Sequence, residues 1–262
     1  MLARAKEIAE KQNLLVGVMT FYDSKNGGQI YTFGERLYLF EKLGADFAFA
    51  ARFDEAFRAT DGREFLNRIA RSLEVRAFVC GTDFTFGRGA ACGAAELRAF
   101  CSRRNIEAEI LPLVRLHGEK AAASLAKQYL AGGEVEKLAE LLGDKYFIRG
   151  EVATEGRHVG RTIGFPTANI HLSPEKYPLK TGVYAVTAEI GGKIYRGIAN
   201  YGSRPTFGDG RTVLEVYADG YAGDLYGQTI TVYFDEFIRE IRKFGSAEEL
   251  SGQLKKDLEK IR

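Results

Sequence analysis

The period of the hydrophobic pattern changes part-way along the chain. Leu2, Ala5 and Ile8 recur at helical spacing, and Leu14–Phe21 is a continuous apolar run of the kind expected for a strand buried on both faces. The same reading predicts helices at Tyr31–Leu43, Asp61–Leu73 and Ala94–Arg104, alternating with strands at Asp46–Ala51, Val75–Gly81 and Ile106–Leu113. Strands alternating with helices predict a parallel sheet whose crossovers are those helices. Two more helices follow, Ala121–Leu130 and Val135–Leu142.

At Gly143-Asp144-Lys145 the pattern changes to strands. Tyr146–Ala153, Gly182–Ile190, Lys193–Asn200, Thr212–Asp219 and Thr229–Glu236 are rich in β-branched and aromatic residues, with turns such as Gly191-Gly192 and Gly208-Asp-Gly210 between them. Ile230, Val232 and Phe234 alternate with Thr229, Thr231 and Tyr233, which gives that strand one core face. A small antiparallel barrel is the economical solution. The chain ends in a helix that opens with the capping box Ser246-Ala-Glu-Glu249 and carries a buried stripe of Leu250, Leu254, Leu258 and Ile261. Two domains are expected, 1–143 and 144–262.

Composition narrows the partners. The 262 residues are 45% hydrophobic, enough for substantial cores, and a formal charge of +2 implies neither a nucleic acid nor a membrane surface. No apolar run approaches the roughly 20 residues that span a bilayer, and the N-terminus lacks a secretion-signal core, so a cytoplasmic protein is expected. Cys80, Cys92 and Cys101 have neither disulfide nor zinc spacing and read as reduced thiols. The three histidines have no metal-spaced partners, and His171 and His117 receive no role.

The densest candidate chemistry is the run Gly156-Arg-His158-Val-Gly160-Arg161-Thr-Ile-Gly164-Phe-Pro166-Thr167-Ala-Asn169. Spaced glycines let backbone N–H groups approach a polyphosphate, while Thr and Asn oxygens are hard neutral donors suited to Mg²⁺. A Gly-rich surface turn would show the same spacing, and no Gly-Lys-Ser/Thr of a P-loop follows. Far along the chain, Thr212-Val-Leu-Glu215-Val-Tyr217 places Leu214 and Val216 on one strand face and Glu215 on the other. Alone, Glu215 would be an exposed barrel residue. With a phosphate cradle and a metal pair it becomes a candidate base for phosphoryl transfer, a reaction that needs positioning, charge neutralisation and one proton acceptor.

From Tyr146 to Arg262 these residues resemble the riboflavin kinase module of bacterial bifunctional riboflavin kinase/FAD synthetases. The resemblance rests on Gly150-Glu-Val152, Gly164-Phe-Pro166-Thr167-Ala-Asn169, Gly182-Val-Tyr184, and Asn200-Tyr-Gly202-Ser-Arg204-Pro-Thr-Phe-Gly208. It continues in Leu214-Glu215-Val216, Gly223-Asp224-Leu-Tyr-Gly227, and Arg239 through Lys243-Phe244. It implies a six-stranded barrel that moves the ATP γ-phosphate to the 5′-hydroxyl of riboflavin, giving FMN and ADP. Carried over residue by residue, Thr167 and Asn169 would contact Mg²⁺ and nucleotide, and Glu215 would be the catalytic base. Gly156, His158, Gly160, Arg161, Gly164 and Pro166 would line the ATP site, and Arg204, Asp224 and Arg239 the flavin site. Many relatives carry His where this chain has Tyr217.

The first half resembles the family's FAD synthetase module, a nucleotidyltransferase fold, with Gly81-Thr-Asp83-Phe84-Thr-Phe86-Gly87 as its recognisable loop. The two Phe residues could equally pack one face of an extended segment. The family's opening strand and its Phe-Asp-Gly-Val-His-x-Gly-His segment have no counterpart here, so an incomplete domain is expected. The family's Ile-Ser-Ser-Thr-x-Ile-Arg aligns with Ala121-Ala122-Ala123-Ser124-Leu125-Ala126-Lys127, exchanging two hydroxyls for methyls and the bidentate Arg for Lys. The expectation is a riboflavin kinase with FAD synthetase activity lost. A working bifunctional enzyme and a non-catalytic flavin-binding protein stay open, as does the oligomeric state.

Overall fold

The structure, a computed structural model, describes residues 1–22, 28–154, 167–203 and 212–261. The chain forms two compact units, Met1–Gly27 with Phe33–Ala121, and Gly28–Thr32 with Ala122–Arg262. Among the described residues no helix is long and apolar enough to cross a membrane.

The first unit begins with α1 (Leu2–Gln12), β1 (Gly17–Phe21), α2 (Phe33–Lys42) and β2 (Phe47–Ala51), then α3 (Glu55–Ala59), α4 (Gly62–Ser72) and β3 (Ala77–Gly81). Short strands β4 (Thr85–Phe86) and β5 (Cys92–Gly93) precede α5 (Ala94–Ser102) and β6 (Glu107–Leu111), and a hairpin of β7 (Arg115–Leu116) and β8 (Glu119–Lys120) follows. The helix starts are set locally. Asp54 accepts the Phe57 amide at the head of α3, and Asp61 accepts those of Arg63 and Glu64 at the head of α4.

The longer strands pair in parallel, as the helix–strand alternation predicts, but in two separate ladders, and the short pairs β4–β5 and β7–β8 are antiparallel. β1 pairs with β2 and β3 with β6. Leu14–Phe21 is therefore not a strand buried on both sides: β1 starts only at Gly17, Leu15 is exposed, and Thr20 alone within β1 is buried. A strand with a single neighbour cannot be enclosed as a central strand is. The loop after β3 settles its own ambiguity by packing. Phe84 and Phe86 stack with ring centroids 5.4 Å apart, and Phe86 joins Leu66, Leu97, Phe100, Cys80 and Cys101 in the core of this unit. Gly87 is left-handed, and a Cβ on it would lie 2.8 Å from the Gly62 backbone, so glycine is required there. All three cysteines are free, with Cys80 and Cys101 buried, and burial pushes both of those thiols up from their ordinary pKa.

The second unit contains α6 (Ala123–Gly132), α7 (Val135–Leu142) and a six-stranded antiparallel sheet. Its strands are β9 (Phe147–Glu151), β10 (Ala168–His171), β11 (Gly182–Ile190), β12 (Lys193–Ser203), β13 (Thr212–Ala218) and β14 (Thr229–Arg239), followed by α8 (Ala247–Ile261). The order is β10-β13-β12-β11-β14-β9, and the ends meet: Val152 bridges Ile170, and the Ala153 amide donates to the Asn169 carbonyl at 2.7 Å. The sheet closes into a barrel, which removes its free edges. Gly150 permits that closure, since a Cβ on it would meet Ile170 Cγ2 at 2.6 Å.

Composition changes at Gly143-Asp144, but the packing boundary lies earlier. Ala126, Leu130, Val135 and Leu138 of α6 and α7 belong to the same core as the inward residues of the barrel, so both helices fold with it. Strand signals mark where strands begin, and not where burial begins. The short segment Gly28–Thr32 also belongs to this unit. The Gln29 amide donates to the Glu175 carbonyl, the Tyr177 amide donates to the Gln29 carbonyl, and Tyr31 packs on Tyr146 and Phe147.

Alternation sorts the barrel residues into two faces. Tyr184, Val186, Ala199, Tyr201, Leu214, Val216, Ala168 and Ile170 fill the interior. Val183, Ile198 and Tyr217 face outward and meet Leu254, Leu258 and Ile261 of α8. The helix is capped as its sequence predicts on one side of the box, the Glu249 amide donating to Ser246 Oγ at 3.2 Å. The Glu249 carboxylate accepts from the Gly245 amide, one residue before the expected partner.

Candidate active site

The outward face of β10, β13 and β12 carries the polar residues. Asn169 is directly opposite Glu215 in the β10–β13 ladder, and Asn200 is directly opposite Glu215 in the β13–β12 ladder. Directly opposed residues in antiparallel strands point to the same face with Cβ atoms about 5 Å apart. Glu215 is therefore flanked by a carboxamide on each side. Period-two alternation turns Leu214 and Val216 inward and forces Glu215 outward, as the sequence predicts.

Thr167, at the entrance to β10, completes the arrangement. Its hydroxyl donates to Glu215 Oε1 at 2.8 Å. A hydroxyl has one proton and two acceptor lone pairs, so Thr167 can hold the Glu215 carboxylate and still offer oxygen to a cation. Asn169 is only 7% exposed, and its backbone carbonyl forms part of the barrel closure, which fixes this strand beside Glu215. Asn200 Oδ1 is buried with no hydrogen-bond partner among the described residues, an unusual condition for a buried polar atom.

The remaining site residues read from the sequence fall in three groups. Gly156, His158, Gly160, Arg161, Gly164, Pro166 and Arg204 lie outside the described residues. Asp224 is exposed in the loop before β14, and its carboxylate accepts the Tyr226 amide at 3.1 Å, an Asx-turn that shapes the loop. Arg239, at the end of β14, lies in the same cross-strand row through Val183, which pairs with Asn200 on one side and Arg239 on the other. Its guanidinium is committed to α8: Nε and Nη2 donate to Asp257 Oδ2 at 3.0 and 2.8 Å, and Asp257 is fully buried.

Sequence reasoning missed Asp257, because a carboxylate near the end of an amphipathic helix looks like any solvent-facing charge until the helix docks. It also left Asn200 without a role, although Asn200 opens one of the motifs that carry the resemblance. Tyr217, which replaces the His of many relatives, has its hydroxyl 3.4 Å from Asp219 Oδ1 as donor, and its ring packs toward α8.

Comparison with known proteins agrees with this architecture. Residues 142–262 match the family model for riboflavin kinase, and residues 1–125 match that for FAD synthetase. The chain is 32% identical over 270 residues to the bifunctional riboflavin kinase/FMN adenylyltransferase of Bacillus subtilis, covering 98% of this chain and 84% of that protein. It is also 32% identical to the protein of the same description from Escherichia coli K12, covering 98% of this chain and 85% of the relative. A solved structure described as a macrolide-efflux protein from Streptococcus pneumoniae superposes with a TM-score of 0.82 at 31% identity, over 98% of this chain and 86% of the other. The chain thus carries a riboflavin kinase module behind an FAD synthetase module, and it belongs to the bifunctional riboflavin kinase/FMN adenylyltransferase family.

Proposed function

We propose that this chain makes FMN by transferring the γ-phosphate of ATP to the 5′-hydroxyl of riboflavin, in the barrel, with Glu215 as the base. The observation that carries the reading is the Thr167–Glu215 hydrogen bond of 2.8 Å, with Asn169 directly opposite Glu215 in the neighbouring strand. Glu215 takes the proton of the 5′-hydroxyl, that oxygen bonds to the γ-phosphorus, and the bond to the β–γ bridging oxygen breaks to release ADP. Thr167 and Asn169 suit Mg²⁺ because hydroxyl and carboxamide oxygens are hard neutral donors, and the ion would neutralise phosphate charge there. Gly156, His158, Gly160, Arg161, Gly164 and Pro166 are assigned to the ATP phosphates. Arg204 and Asp224 are assigned to the flavin side, and Arg239 shapes that side from its pairing with Asp257.

FAD synthesis by the first unit is proposed to be lost. At the position of the family's Arg, the Lys127 ammonium lies 5.0 Å from the centre of the Tyr177 ring inside the second unit, and Ala122 heads α6 with no side-chain cap. These residues support packing in place of phosphate binding. Free cysteines fit a reducing, cytoplasmic setting.

Incubation with riboflavin and Mg-ATP, followed by separation of the flavins, tests both halves. FMN with no FAD is the expected result. Absence of FMN would overturn the kinase reading, and FAD with pyrophosphate would establish a bifunctional enzyme instead.

A further inference from the structure

Three oxygen-bearing side chains surround Glu215, and two of them are accounted for. Thr167 and Asn169 stand on the β10 side. Asn200 stands on the opposite, β12 side, in register with Glu215, and its Oδ1 is buried without a partner among the described residues. A buried amide oxygen left unpaired costs stability in the free protein, so its retention calls for a donor that arrives with a ligand.

In-line phosphoryl transfer decides which ligand that is. The attacking and leaving oxygens lie on opposite sides of the phosphorus, so the base has the phosphates toward one flank and the acceptor alcohol toward the other. With the candidate cation ligands Thr167 and Asn169 on the β10 flank, the β12 flank is where the acceptor's carbon chain runs. We propose that Asn200 is a specificity-determining residue whose Oδ1 accepts a hydrogen bond from a hydroxyl of the acceptor's polyol chain, holding that chain beside Glu215. This assignment rests on the kinase reading above. A carboxamide suits the task better than a carboxylate, because a second charge opposite Glu215 would disfavour the ionised base.

The test compares two flavins by fluorescence quenching on the full chain, without ATP or metal. Riboflavin carries the polyol, whereas lumiflavin has only a methyl group at that nitrogen. Asn200→Ala is expected to weaken riboflavin binding about tenfold, the worth of roughly one hydrogen bond, and to leave lumiflavin binding unchanged. Its melting temperature should equal or exceed that of the parent, because an unsatisfied buried oxygen has been removed. In steady-state assays the KM for riboflavin should rise while the KM for ATP holds.

Equal weakening for both flavins, unchanged riboflavin binding, or a variant that fails to fold would each overturn the proposal, the last because it would give Asn200 a structural job. These outcomes are separate from failure of the kinase reading, which would appear as a parent protein that binds riboflavin and forms no FMN.

Discussion

Thr167 donates its hydroxyl proton to Glu215 Oε1 at 2.8 Å, joining two residues 48 positions apart in the chain. The bond turns a strand carboxylate into part of a site. It ties the Glu215 carboxylate to Thr167 at the entrance to β10.

Glu215→Gln keeps the size of the side chain and its ability to accept from Thr167, but removes the proton acceptor. Riboflavin phosphorylation should fall about 10²–10⁴-fold, with riboflavin affinity retained. Single-turnover assays and fluorescence titration on the same preparation check both statements; full activity would exclude Glu215 as the base.

Asp257→Ala leaves the Arg239 guanidinium facing a buried position with no counter-charge. Breaking a buried pair by deleting one partner costs about 3–5 kcal/mol, and the lower end applies because the Arg239 side chain keeps 18% of its exposure. Chemical denaturation should show this loss, with α8 released before the barrel melts. A change below about 0.5 kcal/mol would mean that the apolar stripe of Leu254, Leu258 and Ile261 holds the helix alone.

Gly150→Ala pushes a methyl group to 2.6 Å from Ile170 Cγ2 at the seam of the barrel. Overpacking of this kind costs about 1–3 kcal/mol. Thermal unfolding should register it, and hydrogen exchange should show the Ala153 amide, which donates to the Asn169 carbonyl across the seam, opening more readily.

Tyr201 and Tyr184 are buried inside the barrel, and burial raises both phenols above their ordinary pKa of about 10. The folded state therefore holds these protons to higher pH than the unfolded chain does. Their contribution is fully present below pH 10 and is lost as pH rises toward the folded values, so stability should decline on the alkaline side of about pH 10. Tyr201→Phe should flatten that decline. It also strips the acceptor from the Leu179 amide, now 3.1 Å from Tyr201 Oη, at a cost of about 1–3 kcal/mol at neutral pH.

Element types could be read from the chain because period and composition are local properties. Gly182–Ile190 forms a strand over the range that its β-branched and aromatic residues predict, and Val135–Leu142 forms the predicted helix. Ala168–His171 was legible only as the tail of a glycine segment, since four residues carry too little periodicity to declare a strand. The same limit hid α3. Glu55–Ala59 is a single capped turn, created by Asp54 and not by an amphipathic pattern.

The sequence by itself determined that Glu215 faces away from the barrel core, because strand alternation with Leu214 and Val216 leaves no other choice. It also offered Thr167 and Asn169 as candidate oxygen donors, and it pointed to the family that the comparisons show. Only the tertiary structure decided which residues stand beside Glu215, for strand order and register depend on how the sheet closes, and no local pattern encodes that closure. The β10-β13-β12 order placed Asn169 and Asn200 on opposite flanks of one carboxylate. Docking of α8 turned Asp257 from an apparent surface charge into the buried partner of Arg239, and packing of α6 and α7 moved the edge of the second unit back to Ala122. In each case the deciding quantity was burial against residues distant in sequence, which exists only once the chain has folded.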